Sequence, residues 1–272
     1  MSDQSQVLQV LEETSRTFYI PIVRLPDDLQ ETIASAYLCM RAVDEIEDHE
    51  ELNRTRKSNL LRETSQVLQS QTSVASFDHD ALAEVFNRYD QLPEVTIRLG
   101  EWACHSPETI APRIWEATSA MADRMAYWVD RNWDIKTRSD LDSYTYSVAG
   151  AVGLLVCDLW AWYDGSQIDR VYAIQFGRGL QAVNILRNRT EDLKRDVDYF
   201  PSGWRETEMF TYAWNYLDKA KSAAETMPPD PFRYFVEIPL LLADATLNAL
   251  EHGEEKLSRN DVLNILQQIQ QQ

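Results

Sequence analysis

Apolar residues recur at three- and four-residue intervals over long windows of this chain, and stretches in which β-branched residues alternate with polar ones are lacking. The pattern predicts helices at residues 6–17, 27–49, 54–69, 80–89, 111–129, 139–162, 171–192, 206–225, 231–252 and 259–271, with 70–79 and 196–203 as loops. Such a set is expected to pack as one all-α bundle, a single domain over 1–272, because no shift in composition marks a linker. Pro26-Asp27 and Ser139-Asp140 read as helix starts, and the prolines within 227–231 require a loop before the last long helix. Gly150 and Gly153 fall inside the 139–162 helix, where each costs about 1 kcal/mol relative to Ala. Two explanations are open for them: close approach of a neighbouring helix, or room for a ligand beside the backbone.

Charge narrows the function. Lys and Arg number 26 against 44 Asp and Glu, a formal net charge of −18. A chain this acidic lacks the clustered cations that bind a phosphate backbone, so nucleic acid is excluded as a partner and anionic lipid is disfavoured. An anionic small molecule reaches such a protein most simply through divalent cations. Cys39, Cys104 and Cys157 show neither a CxxC nor a Cys/His metal spacing, which speaks against zinc and disulfides and for a reducing compartment. Residues 1–9 are polar, and the longest apolar run, 148–157, ends at Asp158, well short of a bilayer span. A cytoplasmic protein is expected, with at most transient peripheral membrane contact.

Two clusters of oxygen ligands stand out. In the 27–49 helix, Ala36, Tyr37, Leu38, Val43 and Ile46 mark a buried side, and Asp44, Glu47 and Asp48 sit at i, i+3 and i+4. Alone, these three fit a solvated acidic helix end running into His49-Glu50-Glu51 as well as a cradle for a hard cation. The 171–192 helix repeats the spacing with Asn188, Glu191 and Asp192. If two such helices face each other across a bundle, their oxygens converge on one site. Arg41 lies one turn before Asp44, and Arg187 directly precedes Asn188. Each guanidinium can neutralise acidic neighbours or grip a diphosphate bidentately, and its presence beside both clusters favours the second role.

Together with strings elsewhere, these residues resemble the squalene/phytoene synthase family, the head-to-head prenyl transferases. Ser15-Arg16-Thr17-Phe18 is similar to the family's Ser-Arg-Ser-Phe, and Tyr37, Arg41 and residues 44–48 to its tyrosine, arginine and first aspartate-rich motif. Tyr144, followed by Val148-Ala149-Gly150-Ala151-Val152-Gly153, resembles its tyrosine and Val-Ala-Gly-x-Val-Gly string. Gln181, Asn184 to Arg187, Glu191 and Asp192 are similar to its second aspartate-rich motif, with Tyr199-Phe200-Pro201 after it. The match runs over roughly 15–250, without a signature in 50–110.

The resemblance implies an isoprenoid-synthase-type helical bundle with a central active-site cavity. It implies Mg²⁺ held by Asp44, Glu47, Asp48, Asn188, Glu191 and Asp192, with Tyr144, Arg41 and Arg187 as catalytic residues. Ser15, Arg16, Phe18, Ile22, Tyr37, Val148, Gln181 and Asn184 become the expected substrate-binding residues; Phe18, Ile22, Val148 and Leu186 would line an apolar tunnel or belong to the plain core, and the resemblance favours the tunnel only for Phe18 and Val148. NADPH stays open as a second cofactor, since the family binds it without a glycine-rich fingerprint. The implied reaction condenses two prenyl diphosphates, most simply farnesyl diphosphate, through a cyclopropylcarbinyl diphosphate to squalene, dehydrosqualene or phytoene.

Tyr144 would orient diphosphate or take part in proton loss; as a plain core tyrosine with its hydroxyl on a carbonyl it would do neither. Asn188 departs from the family pattern, which usually has Asp there. An amide oxygen ligates Mg²⁺ without adding charge, so metal is held more weakly at that wall. That departure keeps open a single-substrate ionising enzyme, either a terpene cyclase or a farnesyl diphosphate phosphatase. A third reading is an inactive binding subunit of a terpenoid pathway.

Overall fold

The computed structural model describes residues 3–227, 230–254, 257, 261, 262, 264 and 265, apart from the side chains of residues 3, 4 and 16, and contains no strand among them. The helices are α1 Asp3–Thr14, α2 Arg16–Ile22, α3 Asp27–Asp48, α4 Arg54–Ser70, α5 His79–Phe86, α6 Glu94–Ile97, α7 Leu99–Cys104, α8 Ala111–Asp130, α9 Arg138–Thr145, α10 Ala151–Asp164, α11 Arg170–Lys194, α12 Glu206–Glu225 and α13 Pro231–Glu251. A 3₁₀ turn, Val74–Ser76, sits in the expected loop 70–79, and a π-helical turn, Tyr146–Gly150, joins α9 to α10. The helix expected at 259–271 lies for the most part outside the described residues. The chain divides into two compact units. One holds residues 3–19, Pro26–Trp133 and Leu155–Gln167; the other holds Ile20–Leu25, Asp134–Leu154 and the described residues from Ile168 onward.

In the first unit α3 packs against α4, α6, α7 and α8, and α4 against α8. Pro26 sets an extended entry to α3, and Asp27 and Asp28 in its first turn complement the helix dipole. Leu29, Ile33, Ala36, Met40 and Val43 follow at helical spacing and are buried. The buried indoles of Trp102 and Trp115 donate to the carbonyls of Val95 and Ala103 at 2.9 and 2.7 Å. Ser35 Oγ donates to the Trp102 carbonyl at 2.6 Å and Thr96 Oγ1 to that of Ala42 at 2.9 Å. These bonds fix α6 and α7, which the sequence pattern does not reveal because four and six residues are too few to show a period. The helix expected over 6–17 is in fact two, because Ser15 Oγ accepts from the Phe18 amide at 3.2 Å and caps a fresh start.

In the second unit Thr137 and Asp140 form a capping box, so α9 begins one residue earlier than Ser139-Asp140 suggests. Asp169 and Asp230 cap α11 and α13. α11 packs against the π-helical turn, α12 and α13. A Cβ on Gly153 would stand 2.3 Å from the Ala173 carbonyl oxygen, and one on Gly177 would stand 2.4 Å from that of Ala149. The backbones of the two helical segments therefore touch, each through the other's glycine, which settles the open question about Gly153 in favour of helix contact. The continuous helical run Arg138–Asp164 is long and apolar enough, by length and composition, to cross a membrane, a criterion that packed core helices also meet.

Because a methyl group at Gly177 meets backbone and not a side chain that can turn away, Gly177→Ala is expected to lower the free energy of unfolding by about 2–4 kcal/mol in urea titrations. A variant as stable as the wild type would contradict the backbone contact.

Candidate active site

In the first unit, Tyr37, Arg41, Asp44 and Asp48 follow one another about a turn apart along α3. The Tyr37 ring lies 5.7 Å from that of Phe18, and its hydroxyl meets Ser15, so α2 is brought to the head of this stripe. Burial raises the Tyr37 pKa. Arg41 Nη1 donates to Asp44 Oδ2 at 2.6 Å and its Nη2 to Glu45, while its buried Nε has no partner. Burial, and then the Asp48 charge, push the Asp44 carboxyl up to about 7 against the pull of Arg41. With 33% of the Asp44 side chain exposed, solvent reaches it from one side. Asp48 is exposed.

Glu47 goes the other way. It is only 3% exposed, and its Oε1 accepts from Trp133 Nε1 at 2.5 Å. Its carbonyl oxygen accepts from the buried Lys57 ammonium at 2.6 Å. Burial pushes the Glu47 carboxyl up to about 8, with the Trp133 bond opposing and Asp48 and Asp44 adding. The three acids of this turn thus do not share a face: Glu47 is turned inward, and Asp44 and Asp48 are left toward solvent. Neither Trp133 nor Lys57 belongs to any motif in the sequence, and no local signal points to them.

In the second unit, α11 carries Gln181, Asn184, Arg187, Asn188, Glu191 and Asp192. Gln181 and Asn184 are half-buried, with Asn184 Nδ2 3.5 Å from Gln181 Oε1. Arg187 Nε donates to Asn188 Oδ1 at 3.1 Å, and Arg187 forms no ion pair among the described residues. Desolvation lowers its pKa, although a guanidinium stays charged at any ordinary pH. Glu191 is exposed and paired with Lys194 at 2.7 Å. Asp192 is 6% exposed, and Arg195 Nη2 donates to it at 2.6 Å.

The loop after α11 ties this turn to Tyr144. The Val197 amide donates to the Asp192 carbonyl at 3.0 Å, and Arg189 pairs with Asp198 at 3.1 Å and lies 3.8 Å over the Phe200 ring. Tyr199 stacks on Tyr144, centroids 4.7 Å apart and planes at 21°, with both rings buried. Asp142, in the last turn of α9, accepts from the Tyr212 and Tyr216 hydroxyls at 2.8 and 3.0 Å. Val148 is half-buried on the π-helical turn, a geometry frequent at functional sites, and Ile22 and Leu186 are buried. The Arg16 side chain lies outside the described residues. A cavity of about 390 Å³ lined by Arg138, Trp204, Glu208, Thr211, Tyr212 and Asn215 contains none of the residues singled out from sequence.

Among the described residues, no three His, Cys, Asp or Glu groups are placed to hold a metal ion by themselves. The donors in each acidic turn nevertheless suit Mg²⁺ in kind, since that ion takes one or two carboxylates and completes its shell with water and phosphate oxygens. The orphaned Arg41 Nε and the unpaired Arg187 stand beside them as donors for an anion.

The Glu47 environment has a consequence for stability. Burial pushes the Glu47 carboxyl up to about 8 in the folded protein, whereas in the unfolded chain it has the ordinary glutamate value of 4.5. The folded state binds more protons across that window, so metal-free stability falls as pH rises through it. Relative to Glu47→Gln, in chelator-containing buffer, the wild type is expected to lose on the order of 4 kcal/mol between pH 5 and 9. Parallel stability curves would contradict a buried, proton-retaining Glu47.

Comparison with known proteins adds to this geometry. The sequence profile described as squalene/phytoene synthase matches residues 11–208. Similar curated proteins include the squalene synthase of Eremothecium gossypii, 32% identical over 206 residues that cover 71% of this chain and 45% of that one. The squalene synthase of Saccharomyces cerevisiae is 30% identical over 254 residues, 90% of this chain and 52% of that one. That of Schizosaccharomyces pombe is 26% identical over 260 residues, 92% and 52%. The chain thus spans about half the length of the curated relatives it matches. Among solved structures, TcSQS with the ligand E5700 matches with a TM-score of 0.77 at 20% identity, over 97% of this chain and 85% of that one. A dehydrosqualene synthase in complex with a ligand matches with a TM-score of 0.66 at 16% identity, over 99% and 95%. The fold is the all-α fold of those structures, and the profile match over most of its length places the chain in the squalene/phytoene synthase family.

Proposed function

We propose that the chain catalyses Mg²⁺-dependent head-to-head condensation of two prenyl diphosphates, farnesyl diphosphate being the substrate, with release of diphosphate. The observation that carries this reading is the guanidinium beside each acidic turn. In a protein of net charge −18, Arg187 has no carboxylate partner among the described residues, and Arg41 keeps a buried, unbonded Nε. Each turn with its arginine suits one diphosphate: the carboxylates repel it unless a divalent cation intervenes, and the guanidinium binds its non-bridging oxygens directly.

Bound at Asp44 and Asp48 on one turn, or at Asn188, Glu191 and Asp192 on the other, Mg²⁺ would draw off the charge that a diphosphate gains as it departs. Arg41 in the first unit and Arg187 in the second would each grip the non-bridging oxygens of a diphosphate bound at its own turn and take up part of that charge. Asn188 gives its oxygen to Arg187 Nε, so an amide at this position orients the guanidinium, a role that needs no negative charge. Tyr144, fixed by the Tyr199 stack, supplies a hydroxyl to orient diphosphate or to take part in proton loss. Phe18 in the first unit, and Val148 and Leu186 in the second, each offer apolar surface to a prenyl chain and would keep water from an allylic cation. A squalene product would require a hydride donor, a role that NADPH would fill.

The test is incubation with farnesyl diphosphate and Mg²⁺, with and without NADPH, with hydrocarbons identified by mass spectrometry and released diphosphate counted. A C30 hydrocarbon, accompanied by two diphosphates and abolished by chelator, is expected. Farnesol or a cyclic C15 product would replace coupling by single-substrate ionisation, and no turnover of C15 or C20 substrates would leave a binding subunit.

A further inference from the structure

The end of α8 is unusual. The Asn132 amide bonds back to the Val129 carbonyl and the Trp133 amide to that of Trp128, at 3.0 and 2.9 Å, the paired bonds of a Schellman close. That close needs one left-handed residue, and Asn132, φ 55°, supplies it at little cost. Trp133 is left-handed as well, with φ 49°. Ending a helix does not call for this, and a bulky side chain resists it. Such strain persists only where surrounding structure over-determines it.

Here the surroundings are the first acidic turn. The Trp133 indole is 7% exposed and donates to Glu47 Oε1 at 2.5 Å. The Lys57 ammonium, from α4, donates to the Glu47 carbonyl and lies 5.7 Å from the Trp133 ring. Three separate segments thus meet at Glu47, the indole on its carboxylate and the ammonium on its backbone carbonyl, although helical spacing alone would group that carboxylate with Asp44 and Asp48.

We propose that Trp133 is a positioning residue for the first acidic turn: its indole holds the Glu47 carboxylate inward while Lys57 ties down the Glu47 carbonyl, so that a divalent cation is taken by Asp44 and Asp48 and Glu47 supports the turn from below. This rests on the Mg²⁺-dependent reading of that turn. Groups behind a metal site that fix the geometry of its ligands commonly change metal affinity by about 10–100-fold when mutated, and the bond to Glu47 makes Trp133 such a group for this turn.

The experiment titrates Mg²⁺ in the presence of inorganic diphosphate and reads the rise in melting temperature, alongside diphosphate release from farnesyl diphosphate. Trp133→Phe keeps the ring and removes the N–H; it is expected to need about tenfold more Mg²⁺ for the half-maximal shift, Glu47→Gln about threefold more, and Asp48→Ala to lose the shift. Lys57→Met, expected to move in the same direction as Trp133→Phe, serves if the tryptophan variant does not fold. Loss of the shift in Glu47→Gln as complete as in Asp48→Ala would make Glu47 a ligand and overturn the proposal. So would wild-type Mg²⁺ dependence in Trp133→Phe and Lys57→Met. Should the wild type itself show neither a Mg²⁺-induced shift nor release, the metal reading fails, and the proposal with it.

Discussion

Carboxylates crowded into one turn of a helix repel one another, and removing any of them from water raises that cost steeply. In this protein the arrangement occurs twice, on α3 and on α11, in a chain already carrying a net charge of −18. Much of the surrounding structure answers to it. On α3, Arg41 neutralises Asp44 and Glu45, while Trp133 and Lys57 receive Glu47. On α11, Arg195 takes Asp192 and Lys194 takes Glu191. Two features stand out beside these pairings: Asp44 lifted toward neutrality by burial and its neighbour, and Arg187 without a counter-ion among the described residues. A cation beside the acids and an anion beside the arginine would relieve both.

The scaffold holds this chemistry by close contact. Gly153 and Gly177 let two helical segments of the second unit meet backbone to backbone. The π-helical turn begins immediately after Tyr144 and Thr145. The Asp142 carboxylate, gripped by two tyrosine hydroxyls from α12, fixes the turn on one side of Tyr144, and Tyr199 fixes its ring. The loop that bears Tyr199 starts from Asp192 and Arg189, so the second acidic turn and Tyr144 are joined through a few residues.

The long helices are legible in the sequence because each buries a stripe at helical spacing, as Leu29 to Val43 do on α3. Both acidic turns are legible because their i, i+3, i+4 spacing is itself a surface pattern. Less is legible where distant contacts decide. α6 and α7 depend on hydrogen bonds to α3 and to each other, and the break at Ser15 depends on one hydroxyl. Which of three neighbouring acids turns inward is decided by an indole 86 residues further on, in a backbone conformation that no propensity favours. At Asn188, sequence suggests a weakened metal wall; the structure adds an amide oxygen engaged by Arg187.

On this reading, diphosphate binds the acidic chain through divalent cations and an arginine without a counter-ion among the described residues. Calorimetric titration of the wild type and of Arg187→Gln with inorganic diphosphate, in Mg²⁺ and in chelator, tests it most directly. Binding is expected to require Mg²⁺ and to weaken by roughly tenfold or more in Arg187→Gln. Binding of equal strength without Mg²⁺, or an Arg187→Gln variant that binds like the wild type, would contradict it.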